Sequence, residues 1–224
     1  MRMPFELFVA LRYLFSRRKQ TFIYIISIMS ILGVALGVGA LVVVLGVYNG
    51  LTTDMRDKII GANAHGIVMS YVPAAFQQHP DLVRRVEAVE HVRGATPFIY
   101  TEVMLSAAGG VKGLVLRGID PESAPKVLSM LREIRRGSVT DLKREGTPGI
   151  VIGEELAKRL GIGLGSRVNL LSPSGEKGAT GYSPRIRPFE VVGIFKTGMF
   201  EYDATLAFVD LKAARDILGL PDGF

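Results

Sequence analysis

From Gln20 to Thr53 the chain carries no charged side chain, and the centre of that stretch, Phe22 to Tyr48, is almost wholly apolar. An α-helix rises about 1.5 Å per residue, so about 20 apolar residues cross a hydrocarbon core about 30 Å thick. The segment is long enough to span a bilayer, and no other segment is. It therefore separates a short tail from a large domain on the opposite side of a membrane. A secretory signal peptide has an apolar region of about 7–15 residues and then a cleavage site of small residues, so the length points to a retained anchor. A buried core helix rarely stays apolar on every face for so long.

The flanks orient the span. Arg2, Arg12, Arg17, Arg18 and Lys19 precede it against one acid, Glu6, whereas Arg56 and Lys58 follow it interleaved with Asp54 and Asp57. Cationic flanks stay cytoplasmic. The sequence thus predicts a cytoplasmic N-terminus and a domain from Asp54 onward on the outside, which in a bacterium is the periplasm. The whole chain has 27 Lys+Arg against 21 Asp+Glu, a formal charge of +6. Much of that excess sits in the tail, so it is a topology signal. A nucleic-acid partner would require a basic face on the folded domain, and none is expected. Cysteine is absent, which removes disulfides, thiolate catalysis and cysteine-based metal sites.

The pattern predicts a membrane α plus α+β chain. Residues 1–19 form a cytoplasmic interfacial elbow, 20–60 the transmembrane helix and a periplasmic stalk, and 61–224 a mixed two-lobe domain with a lobe boundary near 120–148. Phe5 to Phe15 puts a broad apolar face beside Arg17-Arg18-Lys19, as a helix lying in the membrane interface does. A cytoplasmic extension of the spanning helix is the alternative. Within the span, Gly33 with Gly37 and Gly46 with Gly50 have the GxxxG spacing that lets membrane helices pack closely. Leu51 to Ile60 contains no helix breaker, so the helix should continue beyond the membrane until Gly61 stops it.

The outer domain alternates strand and helix signals. Strands are expected at 64–71, on either side of a Gly109-Gly110 turn between Ala95 and Ile119, at Gly149–Gly153, Arg167–Leu171, Phe189–Phe195 and Thr205–Val209. Helices are expected from Pro80 to Ala88, Ser123 to Arg136, Glu154 to Leu160 and Leu211 to Leu218. Between two of these strands lies Ser172 to Pro188, SPSGEKGATGYSPRIRP. It should project as a long hairpin or irregular excursion, and loops of this length are functional or disordered. Its distal half carries Tyr182, Ser183, Pro184, Arg185, Ile186 and Arg187. Tyr and Arg are frequent interface anchors; a mobile solvated loop is the alternative.

Catalytic chemistry is not indicated. His65, His79 and His91 have no metal-ligand spacing. GIGLG, Gly161 to Gly165, resembles a dinucleotide loop but follows a helix where a strand is required; a helix stop and tight turn explain it. No Walker A sequence is present, and Glu154-Glu155 suit the dipole of a helix start. The expectation is a non-catalytic protein with no metal and no cofactor of its own.

Four stretches carry a family resemblance. FELFVALRYLFSRRKQTFIYIISIMSILGVALGVGALVVVLGVYNG, Phe5 to Gly50, resembles the start of the inner-membrane permeases of the lipoprotein-releasing system, the LolC/LolE type. DMRDKIIGANAH, Asp54 to His65, resembles the continuation of their first helix. GIVIGEELAKRLGIGLGSRVNLLSP and FEVVGIFKTGMFEYDATLAFVDLKAARDILGL resemble their periplasmic domain, with GMFEYD, Gly198 to Asp203, fairly specific to this branch. IGEELAKRLG is shared with MacB-like exporters. The resemblance implies a MacB-like periplasmic core and a type VII (mechanotransmission) ABC transporter with four membrane helices, of which the last three lie beyond Phe224. It implies a LolD-type cytoplasmic ATPase holding ATP and Mg, a second permease copy or paralogue, membrane lipids, a lipoprotein substrate and a LolA-type periplasmic chaperone. Val44, Val47, Tyr48 and Leu51 occupy the place where such permeases hold the lipoprotein's acyl chains. Ser172–Pro188 occupies the place of a chaperone-binding hook, with Arg185 and Arg187 as contacts. A MacB-like exporter, or a single-pass anchored sensor or binding module, are the alternatives.

Overall fold

The computed structural model describes residues 5–14, 21–69, 81–132, 134–144, 146–178 and 181–220. The chain divides into two units, Met1–Met55 and Arg56–Phe224.

In the first unit α1 spans Phe5–Leu14 and α2 begins at Thr21, running to Ala62 without interruption. The charge-free stretch lies inside α2, and its apolar side chains are exposed on every side of the helix. An uncovered apolar surface of that extent suits lipid, not water. The expected continuation through Leu51 to Ile60 is present. Gly61 lies inside the last turn, and the helix ends one residue later.

The second unit contains α3 (Leu82–Glu87), β1 (Phe98–Ala107), β2 (Gly110–Ile119), α4 (Ala124–Val127), β3 (Arg136–Gly137), β4 (Gly149–Gly153), α5 (Glu154–Leu160), β5 (Arg167–Gly178), β6 (Gly181–Phe195), α6 (Phe200–Thr205), β7 (Leu206–Asp210) and α7 (Leu211–Leu218). The strands form one seven-stranded sheet in the order β3-β6-β4-β7-β2-β1-β5. β5 pairs with β6 as well as with β1, so six strands close into a ring. Closure satisfies edge hydrogen bonds that would otherwise face solvent.

Alternation along the strands divides the apolar side chains between two cores. Ile99, Leu105, Leu116, Ile152, Leu170 and Phe189 belong to one core, completed by α5 and α7. Ile119, Val151, Val192 and Phe208 belong to the other, where Phe195 meets Phe208 edge to face with ring centres 5.6 Å apart. β4 is buried along its whole length, as its unbroken apolar run requires. Gly118 lets α7 approach β2: a side chain there would bring a Cβ within 2.4 Å of the Ala214 Cβ. Gly161 ends α5 in the left-handed conformation at φ 63°, a position glycine adopts without steric penalty.

Four expectations are corrected. The strands before residue 120 and after 148, assigned to separate lobes, belong to one sheet. The two cores lie on its two faces. Residues 64–69 form no strand, and Ile67, Val68 and Met69 are mostly exposed. Residues 70–71 lie outside the described residues. The long helix expected from Ser123 is a single turn, α4, followed by a 3-10 turn at Ser129–Arg132. Arg132 folds back to donate to the carbonyls of Pro125 and Lys126, which takes up acceptors that a longer helix would have used. Of the two forms expected for Ser172 to Pro188, the long hairpin is the one present. β5 and β6 extend through it as a paired ladder. The turn after β1 falls on Ala108-Gly109, one residue earlier than expected.

Candidate functional site

The hairpin is built from β5 and β6. Near its base Val168 pairs with Phe189 and Leu170 with Arg187, so one face of the ladder is anchored in the core. The register then breaks between Ser172 and Glu176. Pro173 and Pro184 face this break, where residues without an N–H are tolerated and a bulge bends the strand. Pairing resumes with Glu176 opposite Ser183, Lys177 opposite Tyr182 and Gly178 opposite Gly181. Strands of this length beyond the core form an arm stiffened by its own ladder.

Of the candidate residues on this arm, Pro184, Ile186 and Arg187 are exposed. Arg185 is half-buried and donates from Nη1 to the Asp216 carbonyl near the end of α7, at 3.5 Å. Arg185 thus ties the base of the arm to the domain. Tyr182 and Ser183 lie on the strand beyond the bulge. Beside the break, Met104, Leu171, Pro173 and Pro184 line a mostly apolar groove of about 630 Å³.

On α2, Val44, Val47, Tyr48 and Leu51 are all more than half exposed. They recur at spacings of three and four, which places them on one face of the helix. A Cβ at Gly33, Gly37, Gly46 or Gly50 would meet nothing within 4 Å in this chain. The α2 set belongs to the first unit and the hairpin to the second.

Pattern reading missed a third cluster, at the outer end of α2. Arg117, on β2, donates from Nη1 to the Ala62 carbonyl at 3.0 Å and from Nη2 to Asn63 Oδ1 at 2.9 Å. Asn63 Nδ2 donates to Tyr202 Oη at 2.8 Å and to the Ile59 carbonyl at 3.2 Å. Burial lowers the Arg117 pKa from its ordinary value, while the neighbouring Tyr202 and Tyr100 oppose that shift. An arginine keeps its charge even so.

Tyr202 is held by a turn that explains the GMFEYD segment. The buried Asp203 carboxylate accepts from Thr197 N at 2.7 Å, Thr197 Oγ1 at 2.9 Å and Gly198 N at 3.1 Å. Asp203→Ala would leave those donors without their acceptor. It should lower the unfolding free energy by about 2–3 kcal/mol. Urea denaturation of Asp203→Ala beside wild type checks this, and an unchanged midpoint would remove the turn's structural role.

No group of three or more metal-ligating side chains gathers among the described residues. His79 lies outside them. Gly161 to Gly165 is the helix stop and turn, with Gly163 N donating to Ser166 Oγ.

A model of the MacB-like periplasmic core domain matches residues 27–222. The chain belongs to that family. Among curated relatives, the lipoprotein-releasing system transmembrane protein LolC of Neisseria meningitidis serogroup B is 33% identical over 210 residues, covering 94% of this chain and 50% of the relative. The protein named LolE in the same system of Haemophilus influenzae is 24% identical over 222 residues, covering 97% and 52%. The chain therefore spans about half the length of the curated relatives it matches. A solved periplasmic region of MacB from Actinobacillus actinomycetemcomitans aligns at 13% identity and a TM-score of 0.45, covering 73% of this chain and 69% of that one.

Proposed function

We propose that the protein acts as a permease subunit of a lipoprotein-releasing ABC transporter in a bacterial inner membrane. It has no catalytic centre of its own and works with a separate cytoplasmic ATPase. The observation that carries this reading is the 33% identity to a lipoprotein-releasing LolC protein over 94% of the chain. The cationic flank puts the N-terminus in the cytoplasm, and the domain is periplasmic. Val44, Val47, Tyr48 and Leu51 form the wall against which the cargo's acyl chains rest. Each buried CH₂ contributes about 0.8 kcal/mol, so a multiply acylated anchor does not leave the membrane without energy input. The open sides of Gly33, Gly37, Gly46 and Gly50 receive a helix from a second permease copy or paralogue.

The hairpin captures a LolA-type chaperone through Tyr182, Ser183, Pro184, Ile186 and Arg187, with Arg185 holding its base. A paired, core-anchored arm presents these residues at a smaller entropic penalty than a mobile loop would. The MacB-like family match also admits an exporter of peptides or drugs.

Reconstitution in proteoliposomes with the cognate ATPase and second permease tests the reading. ATP should drive transfer of a triacylated lipoprotein to soluble chaperone, and the permease alone should hydrolyse no ATP. Retention of the lipoprotein in the vesicles, with ATP turning over, would sink it.

A further inference from the structure

The last four carbonyls of a helix have no partner within it. Cations placed there interact favourably with the negative end of the helix dipole. The last turn of α2 carries no basic residue. Its cation comes instead from β2, far away in sequence, through the Arg117 contacts to Ala62 and Asn63. Asn63 caps a second carbonyl, that of Ile59, and links the helix end to Tyr202 of α6. Ala62 is fully buried. A short polar cluster thus fastens the end of α2 to β2 and α6.

What the cluster joins gives it mechanical meaning. α2 is one unbroken helix from the apolar span to this point. Arg117 lies opposite Tyr100 on β1, and β1 pairs at Met104 to Ser106 with β5, the first strand of the hairpin. Hydrogen-bonded strands therefore run from the cap on α2 to the arm. Chains of packed and hydrogen-bonded elements are one route by which displacement passes between distant sites.

We infer that Arg117, Asn63 and Tyr202 form the joint through which displacement of α2 reaches the hairpin. They are positioning residues for lipoprotein release, and the inference rests on the function proposed above. Its chemistry makes the joint specific: a guanidinium presents two donors in a fixed fork, which lysine cannot reproduce.

The test uses the protein assembled with its partner subunits in proteoliposomes, with hydrogen exchange measured on the same samples. Arg117→Ala should speed amide exchange across Ile59 to Asn63 and lower ATP-driven lipoprotein release, each at least about tenfold, through the loss of two charge-assisted bonds. ATP hydrolysis and chaperone capture should stay within about twofold, since neither site includes Arg117. Tyr202→Phe removes one bond and should give the same pattern at about threefold. It carries the comparison if Arg117→Ala fails to assemble.

A covalent substitute separates a joint from a merely structural contact. A Cβ at Gly61 would lie 2.9 Å from Ser129 Oγ, close to the roughly 3 Å between a Cβ and the far sulfur of a disulfide. The chain has no cysteine to interfere. In the Arg117→Ala background, oxidised Gly61→Cys/Ser129→Cys should restore release and reduction should abolish it again.

Unchanged exchange in Arg117→Ala would show that the clamp does not hold the helix, overturning the inference. Faster exchange with release at the wild-type rate would overturn it too, as would a formed cross-link that restores nothing. A wild-type assembly that never releases lipoprotein removes the proposed function and not the clamp, which exchange then decides alone.

Discussion

Replacing residues 174–183 with a two-residue turn should reduce chaperone capture at least about a hundredfold, because interface energy concentrates in a few anchoring side chains. The deletion falls beyond the Pro173 and Pro184 break, so the ladder from Arg167 to Ser172 survives. The core residues of that ladder, Val168, Leu170 and Phe189, are also retained. Domain stability should therefore change by no more than about 0.5 kcal/mol. ATP hydrolysis by the assembled transporter should persist while transfer to the chaperone stops. Two point variants separate the arm's roles. Arg187→Glu changes an exposed cation and should weaken capture directly. Arg185→Glu also removes the contact to the Asp216 carbonyl, so its effect should include loosening of the arm's base, visible as faster exchange in β6. Capture by the shortened protein at wild-type affinity, read by pull-down or calorimetry, would move the docking site off the arm.

Tyr48→Asp should lower ATP-driven lipoprotein release at least about tenfold. A charged group costs about 2.5–3.5 kcal/mol at mid-membrane and less toward the interface. Tyr48 shares its face of α2 with Val44 and Leu51, and all three are largely exposed in the chain alone, so acyl chains resting there would meet the carboxylate. Tyr48→Phe keeps the apolar surface and should keep activity. Equal release by the two variants would separate this face of α2 from the cargo. The chaperone-capture assay acts as the internal control, since it reads the other unit of the chain.

Some elements were legible from pattern alone because one local force dominates them. The charge-free run admits only a helix apolar on all sides. GIVIG admits only a buried strand. Leu211–Leu218 lies between the capping Asp210, whose carboxylate accepts from Lys212 N, and the left-handed Gly219. Other elements were misread where local preference is weak and long-range contacts decide. Residues 64–69 have strand composition but pair with no described strand. Ser123 onward has helical composition, but Arg132 redirects the carbonyls. Ser172 to Pro188 was legible as a hairpin or an excursion, and pairing between its own two halves decides for the hairpin.

The candidate site divides in the same way. The apolar face of α2 and the residues of the arm were visible because each is a contiguous segment with a distinctive composition. Arg117, Asn63 and Tyr202 were not. Each is unremarkable in its own neighbourhood, and the bonds joining them link positions 54 and 139 apart in the chain. Composition and periodicity are sums over neighbouring residues, so they determined the apolar helix and the buried strands. The closed ring of strands, the stiff arm and the bolt between helix and sheet depend on residues brought together only by folding, and tertiary structure alone decided them.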